Sequence, residues 1–261
     1  MRSPWSFTDG AIPIVATAIH AGHDLRPAIA ASTALDDATR LREEDPFTDR
    51  LTEIGGSTVV VHRSRFEVDL NRPRAGAVYQ TPADAWGLDL WRDPPTGEEL
   101  ECSRALYDEF YDEFARRLDA LASRGPFVVL DLHSYNHRRD GTDAPPAPVE
   151  ENPEVNVGTG ALDRARWAHV VNRFAETLAQ QTVDGHRLDV RENIRFQGGE
   201  LSRWVDERYA GKGCALAIEF KKVFMDEWTG APDEAHLGAL RDALGSVVPA
   251  LIEELQCHAP T

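Results

Sequence analysis

Cysteine is scarce in this chain and has no pairing pattern. Cys102, Cys214 and Cys257 are the only three in 261 residues, and they lie far apart with no CxxC pair. That argues against a disulfide framework and against a thiolate zinc site, so a metal here would rest on nitrogen and oxygen ligands. Basic residues are also in short supply: 28 Lys and Arg against 44 Asp and Glu leave a formal charge of −16. Nucleic acid and anionic membranes are therefore disfavoured as partners, because phosphate binding relies on a net basic surface. A small anionic substrate remains compatible, since a few arginines inside a cleft can override the global field. No run approaches the roughly 18 apolar residues that a membrane span needs. The first ten residues lack the apolar core of a signal peptide, which leads to the expectation of a soluble, cytoplasmic protein.

Internal repeats, low-complexity tracts and dividing linkers are absent as well, so residues 1–261 are expected to form a single domain. Strand-like runs appear at 12–19, 57–61, 126–132, 187–191 and 214–220. Helical periodicity is clearest at 103–123, 161–181 and 233–255, the last with Pro249 expected to kink it. Shorter helices are expected at 46–54 and 199–207. Strands alternating with helices predict an α/β fold, a mixed and mostly parallel sheet flanked by helices. Two long irregular segments, 73–99 and 134–160, each carry four prolines, and loops of that length in a compact domain are usually functional or disordered. The second follows His133 directly and reads as a wall or lid of a site.

Chemistry-bearing residues gather at the ends of the strand-like runs. Asp131-Leu132-His133-Ser134 follows Phe127–Leu130, and His20-Ala21-Gly22-His23-Asp24 follows the run ending at Ile19. Ligands and catalytic groups of open α/β sheets collect beyond the carboxyl ends of strands. Two histidines so placed, with acids nearby, suggest a metal-dependent hydrolase, against the plainer reading of turn histidines satisfied by local hydrogen bonds. His23 reads as a supporting or structural residue. Glu43-Glu44-Asp45-Pro46-Phe47-Thr48-Asp49 suits a helix start, with Asp45 as N-cap and Pro46 at the first position. Its acids complement the helix dipole, and one of them could complete a two-histidine, one-carboxylate set. Residues 64–72 alternate with period two, as in a half-buried strand with Arg63, Arg65 and Arg72 around it. Those arginines serve either an anionic substrate or the neighbouring Glu67 and Asp69. Glu219 stands alone in the uncharged run 214–220. Burying an unpaired carboxylate costs several kcal/mol or raises its pKa, which suits general acid–base work; the alternative is an ion pair with Lys221 or Lys222.

Taken in order, these segments resemble the N-formylglutamate amidohydrolase family, which is related to the zinc carboxypeptidases. The resemblance rests on His20-Ala21-Gly22, the acids from Asp45 to Asp49, Arg65 through Asn71-Arg72, Asp131-Leu132-His133-Ser134 and Glu219. Asn156-Val157-Gly158-Thr159 and Gly198-Gly199 add to it, and the match covers about residues 12 to 230. It implies a zinc-carboxypeptidase-like fold and one Zn²⁺ per chain, or another divalent ion in its place. His20, His133 and an acid would hold the metal, Asp49 ranking first as the oxygen ligand and Asp45 second. Glu219 would be the general base, Arg65 would stabilise the oxyanion, and Asn71 with Arg72 would clamp the substrate carboxylate. The implied activity is hydrolysis of the amide bond of an N-acyl amino acid such as N-formylglutamate. Two rivals remain: a carboxypeptidase-like hydrolase of a peptide or cell-wall fragment, and a non-catalytic binder of an anionic ligand. The Trp86–Trp91 loop and residues 136–139 have no counterpart in the family pattern.

Overall fold

The computed structural model describes residues 2–257. The chain starts with β1 (Trp5–Thr8) and β2 (Ile14–Ala18), then the short helices α1 (Pro27–Ser32), α2 (Asp37–Glu43) and α3 (Thr48–Leu51), and β3 (Ser57–Val61). After the 73–99 region come α4 (Gly97–Ala122), β4 (Phe127–Tyr135), β5 (Val155–Gly158) and α5 (Ala168–Ala179). The minimal hairpin β6 (Thr182–Val183) and β7 (His186–Arg187) leads to β8 (Val190–Glu192), α6 (Glu200–Arg208), β9 (Gly213–Lys221) and α7 (Glu234–Cys257). The main sheet has seven strands in the order β1-β3-β2-β4-β9-β5-β8. Strands β3, β2, β4 and β9 run parallel, while β1 and β5 are antiparallel to their neighbours β3 and β9. Among the described residues, no helix is long and apolar enough to cross a membrane.

Period-two alternation divides the central strands between two cores and also builds the site. Ile14, Ala16, Val128, Leu130, Leu132, Cys214, Leu216 and Ile218 face α5 and α7 in one cluster. Val15, Phe127, Val129 and Ala215 face the other way, against α4 and α6. Continued along each strand, that second row becomes Thr17, then Asp131 and His133, then Ala217 and Glu219. The α4/α6 face is thus apolar at the amino ends of the strands and polar at their carboxyl ends. Here β3 and β4 lie on opposite sides of β2, a reversal of direction where open α/β sheets form a binding crevice.

The main departures from the sequence reading have local causes. Residues 64–72 form no strand but a series of turns, in which Glu67 N–H donates to Ser64 O at 2.9 Å and Arg72 N–H to Asp69 O at 3.3 Å. The period-two pattern arises because Glu67 and Asp69 are both buried, each against an arginine: Arg26 Nε lies 2.6 Å from Glu67, and a guanidinium nitrogen of Arg65 2.9 Å from Asp69. The four-residue strands β1 and β5 are too short to carry a periodic signal that separates them from loop. The helix expected at 46–54 shrinks to Thr48–Leu51, and Phe47, not Asp45, takes the capping position with φ of 69°. Pro249 sits inside the continuous helix α7.

Asp206 on α6 carries a pH-dependent stability term. It accepts the Ala215 N–H at 2.9 Å, where β5 does not reach, since β5 pairs with β9 only over Ala217–Phe220. Its second oxygen is buried without a partner, and burial pushes the carboxyl up to about 7. An acid whose folded pKa is raised contributes fully below its unfolded value of about 3.9 and loses that contribution as pH rises through about 7. Asp206→Asn keeps the acceptor and removes the charge. Its Tm relative to wild type should therefore climb between pH 5 and pH 8; a wild type that gains on the variant over that range contradicts the assignment.

Candidate metal centre

Three segments deliver the side chains that could hold a metal ion. His20 lies two residues beyond β2, His133 near the end of β4, and Asp45 in the turn between α2 and α3. All three are buried, and one donor atom of each lies within 4.8 Å of the others. Both Nδ1 atoms face Asp45 Oδ2, at 3.4 Å from His20 and 3.0 Å from His133. The opposite ring nitrogens are taken by two further buried acids: His20 Nε2 lies 2.7 Å from Asp69, and His133 Nε2 3.0 Å from Asp131. A carboxylate behind each imidazole favours a proton on Nε2 and leaves Nδ1 as the nitrogen turned inward, the arrangement a metal-ligating histidine needs once its Nδ1 is deprotonated. Asp131 is in turn fixed by the Thr17 hydroxyl at 2.7 Å. His20 Nδ1 is buried without a hydrogen-bond partner. An orphaned imidazole nitrogen beside a second imidazole and an ionised carboxylate is a donor set that suits a zinc-like divalent ion.

The electrostatics agree with that donor set. Burial works against charge on Asp45, but the hydrogen bond of His133 and the nearby His20 imidazole outweigh it and hold the carboxyl well below its usual range. Burial also opposes protonation of His133, yet Asp131 and then Asp45 win, and the ring carries a proton in the metal-free protein. For Asp69, desolvation is overcome chiefly by the charge of Arg65, and the group stays ionised.

Asp49 stands outside the cluster, half-buried on α3 with its carbonyl bound by Thr52. Asp45 enters the cluster because its own carbonyl, rather than its side chain, accepts from Thr48, at 3.3 Å from the N–H and 2.7 Å from the hydroxyl. Glu44 points elsewhere, into a network with His23 (2.5 Å), Ser64 and Arg40. Glu219 pairs with His133 in the β4–β9 register, so the two side chains lie side by side on one face. It is half-buried and opens onto the cavity; desolvation first, then the acids around it, push its carboxyl up to about 7. Among the described residues it has no cation within ion-pair distance, so the pairing with Lys221 or Lys222 is not formed.

Arg65 and Asn71 line the cavity. A guanidinium nitrogen of Arg65 lies 2.9 Å from Asp69, and the group packs 4.8 Å from the Trp86 ring centre. Asn71 accepts the Leu201 N–H at 3.1 Å at the start of α6, leaving its amide nitrogen 3.4 Å from His133. Gly199 must be glycine for that approach, since a Cβ there would stand 2.3 Å from the Asn71 oxygen. Arg72 is not on the wall. It donates to the Asp84 carbonyl at 2.8 Å and lies over the Tyr79 ring, behind Asp69. The cavity, about 360 Å³, is completed by Arg139, from the segment expected to form a wall of the site, and by residues not singled out for it, chiefly Arg195, Trp86 and Lys222. Arg195 could have been found only through Asn156, whose side-chain oxygen accepts the Arg195 N–H at 2.9 Å. A larger groove of about 600 Å³ between β1, β3 and α4 lies away from these strand ends and is lined by no histidine.

The sequence relationships agree with this geometry. Residues 12–225 match the model of the family described as N-formylglutamate amidohydrolase. The chain belongs to the N-formylglutamate amidohydrolase family. It is 28% identical to an N-formylglutamate deformylase of Pseudomonas aeruginosa over 96% of this chain and 95% of that protein. A crystal structure of an N-formylglutamate amidohydrolase from Ralstonia eutropha JMP134 has a similar fold, with TM-score 0.72 and 17% identity over 97% of this chain and 98% of that one. A structure from Agrobacterium tumefaciens follows at TM-score 0.63 and 16% identity, covering 96% of both chains.

Metal content separates the two acidic candidates. Asp45→Asn and His133→Ala should lose stoichiometric metal in elemental analysis of protein purified without chelator. Asp49→Asn should keep it. Metal retained by Asp45→Asn and lost from Asp49→Asn would reverse the assignment.

Proposed function

We propose that the chain is a zinc-dependent N-formylglutamate deformylase, hydrolysing the amide bond of a small N-acylated dicarboxylate. The observation that carries this reading is the meeting of the His20–Asp45–His133 cluster with Glu219 and Arg65 in one cavity. His20, Asp45 and His133 would hold the ion, with Asp69 and Asp131 fixing the two imidazoles behind it. When bound, zinc supplies a Lewis acid that lowers the pKa of water to about 7 and polarises a carbonyl.

The remaining work falls to side chains of the protein. Glu219 takes a proton from the attacking water and returns it to the leaving nitrogen, for which a carboxyl near neutrality is well matched. Arg65, its charge balanced by Asp69 against its burial, donates to the amide oxygen as negative charge develops there. Its stack on Trp86 and its pair with Asp69 limit its freedom, so little reorganisation is needed in the transition state. Asn71 offers an amide donor to a substrate carboxylate. Arg195 offers a guanidinium at the mouth, packed 5.4 Å from the Tyr135 and Phe196 rings. Family membership supports the substrate class, as does the concentration of cations in the cavity of a chain with net charge −16.

Glu219→Gln tests the chemistry. The variant should bind zinc as wild type does, while kcat on N-formylglutamate falls about 10²–10⁴-fold, the usual contribution of a positioned acid–base group. Near-normal turnover would remove Glu219 from the mechanism. Arg195→Ala should raise KM about 10–100-fold, the loss of one charge-assisted hydrogen bond, with kcat little changed. A fall in kcat at unchanged KM would give Arg195 a different role. A non-catalytic binder would purify without stoichiometric metal and hydrolyse nothing.

A further inference from the structure

Lys222 is a charged residue in the cavity wall that the chemistry above does not use. It is 1% exposed, and among the described residues it forms no ion pair. Its Nζ donates instead to two carbonyls, those of Arg42 at 2.6 Å and Glu44 at 2.7 Å. A buried ammonium without a counter-ion is costly, so its position calls for a reason.

The Glu44 carbonyl belongs to the peptide that leads into Asp45. The N–H of that same peptide donates to the backbone carbonyl of His20 at 2.9 Å. One peptide plane is therefore gripped on both sides, by a lysine on its oxygen and by the backbone of another candidate ligand on its nitrogen. Lys222 itself follows β9 directly, and its N–H donates to Tyr135 O at 3.0 Å at the end of β4. These are the strands that carry Glu219 and His133. The segment bearing Asp45 lies between elements, since α2 ends at Glu43, α3 begins at Thr48, and Phe47 between them is in the left-handed region. Its other ties include the Glu44 side chain to His23 and Ser64 and the Asp45 carbonyl to Thr48; among the described residues only Lys222 joins it to the end of β9.

We propose that Lys222 is a positioning residue for the metal centre: its ammonium fixes the Glu44–Asp45 peptide against the ends of β4 and β9 and so sets the Asp45 carboxylate between the two imidazoles. The inference rests on the reading of His20, Asp45 and His133 as metal ligands. Charge-assisted hydrogen bonds to two carbonyls two residues apart are directional as well as strong, which a hydrophobic filler of the same volume cannot reproduce. Supporting residues of this kind tune metal affinity without touching the metal.

The test is zinc affinity measured by competition with a chromophoric chelator, on wild type, Lys222→Met, Lys222→Arg and His133→Ala. Apo-protein Tm and the visible spectrum of the cobalt(II)-substituted forms are recorded alongside. Lys222→Met should bind zinc about 10–100-fold more weakly, with an altered cobalt spectrum and an apo Tm close to wild type. Lys222→Arg, which restores a donor to the carbonyls, should recover part of the affinity. Zinc affinity within twofold of wild type in Lys222→Met, with an unchanged cobalt spectrum, overturns the proposal. If Lys222→Met does not fold, Lys222→Arg and Lys222→Gln decide: weakened zinc binding at an unchanged apo Tm in either supports positioning, and wild-type affinity in both overturns it. Wild type that binds no zinc, or His133→Ala that still binds it, removes the ligand assignment itself, a result distinct from failure at Lys222.

Discussion

The carboxylate of Asp45 lies between two imidazole nitrogens, and most of what surrounds it exists to keep that arrangement in a place where charge is expensive. Two histidines and three acids share a region with almost no solvent, where an isolated ion would cost several kcal/mol. Each is compensated by a neighbour of opposite or complementary character. Asp69 faces His20, Arg65 and the Tyr79 hydroxyl, and Asp131 faces His133 and Thr17. His20 Nδ1 is left without a hydrogen-bond partner, on the side where the other donor atoms converge.

The fold makes this affordable by separating the two functions along each strand. The amino halves of β2, β4 and β9 are apolar on both faces and anchor the sheet between α4/α6 and α5/α7. Only at the carboxyl ends does one face turn polar, so Asp131, His133 and Glu219 sit on strands that the core holds rigid. The less regular parts supply what must reach over the strand ends: Asp45 from the α2–α3 turn, Arg65 and Asn71 from the turns after β3, and Arg195 from the segment before α6.

The parts of the site written into strands were legible in the sequence. His133 and Glu219 stand at fixed parity in uninterrupted apolar runs, and period two then dictates their common face. The choice between Asp45 and Asp49 was not legible, because both suit a helix start. It depends on Phe47 adopting a left-handed backbone, which delays the helix and frees the Asp45 side chain. The turns at 64–72 were misleading for a related reason: buried acids matched to arginines imitate the alternation of a strand. Trp86, Arg139, Arg195 and Lys222 join the cavity through tertiary packing, for which a single sequence has no periodic signal. Lys222 in particular looked like a partner for Glu219 from its spacing, whereas its ammonium is bound to carbonyls 178 and 180 residues away.

The central claim is that one divalent ion binds through His20, Asp45 and His133. A crystal structure of the zinc-loaded protein, with an anomalous difference map at the zinc edge, addresses it directly. The account predicts one strong peak bonded to Nδ1 of both histidines at about 2.0–2.1 Å and to an Asp45 oxygen at about 2.0–2.2 Å, with Asp69 and Asp131 still behind the rings. A peak coordinated by Asp49 or by Glu44 and His23, or an absence of density between the two imidazoles in protein shown to contain zinc, would contradict it.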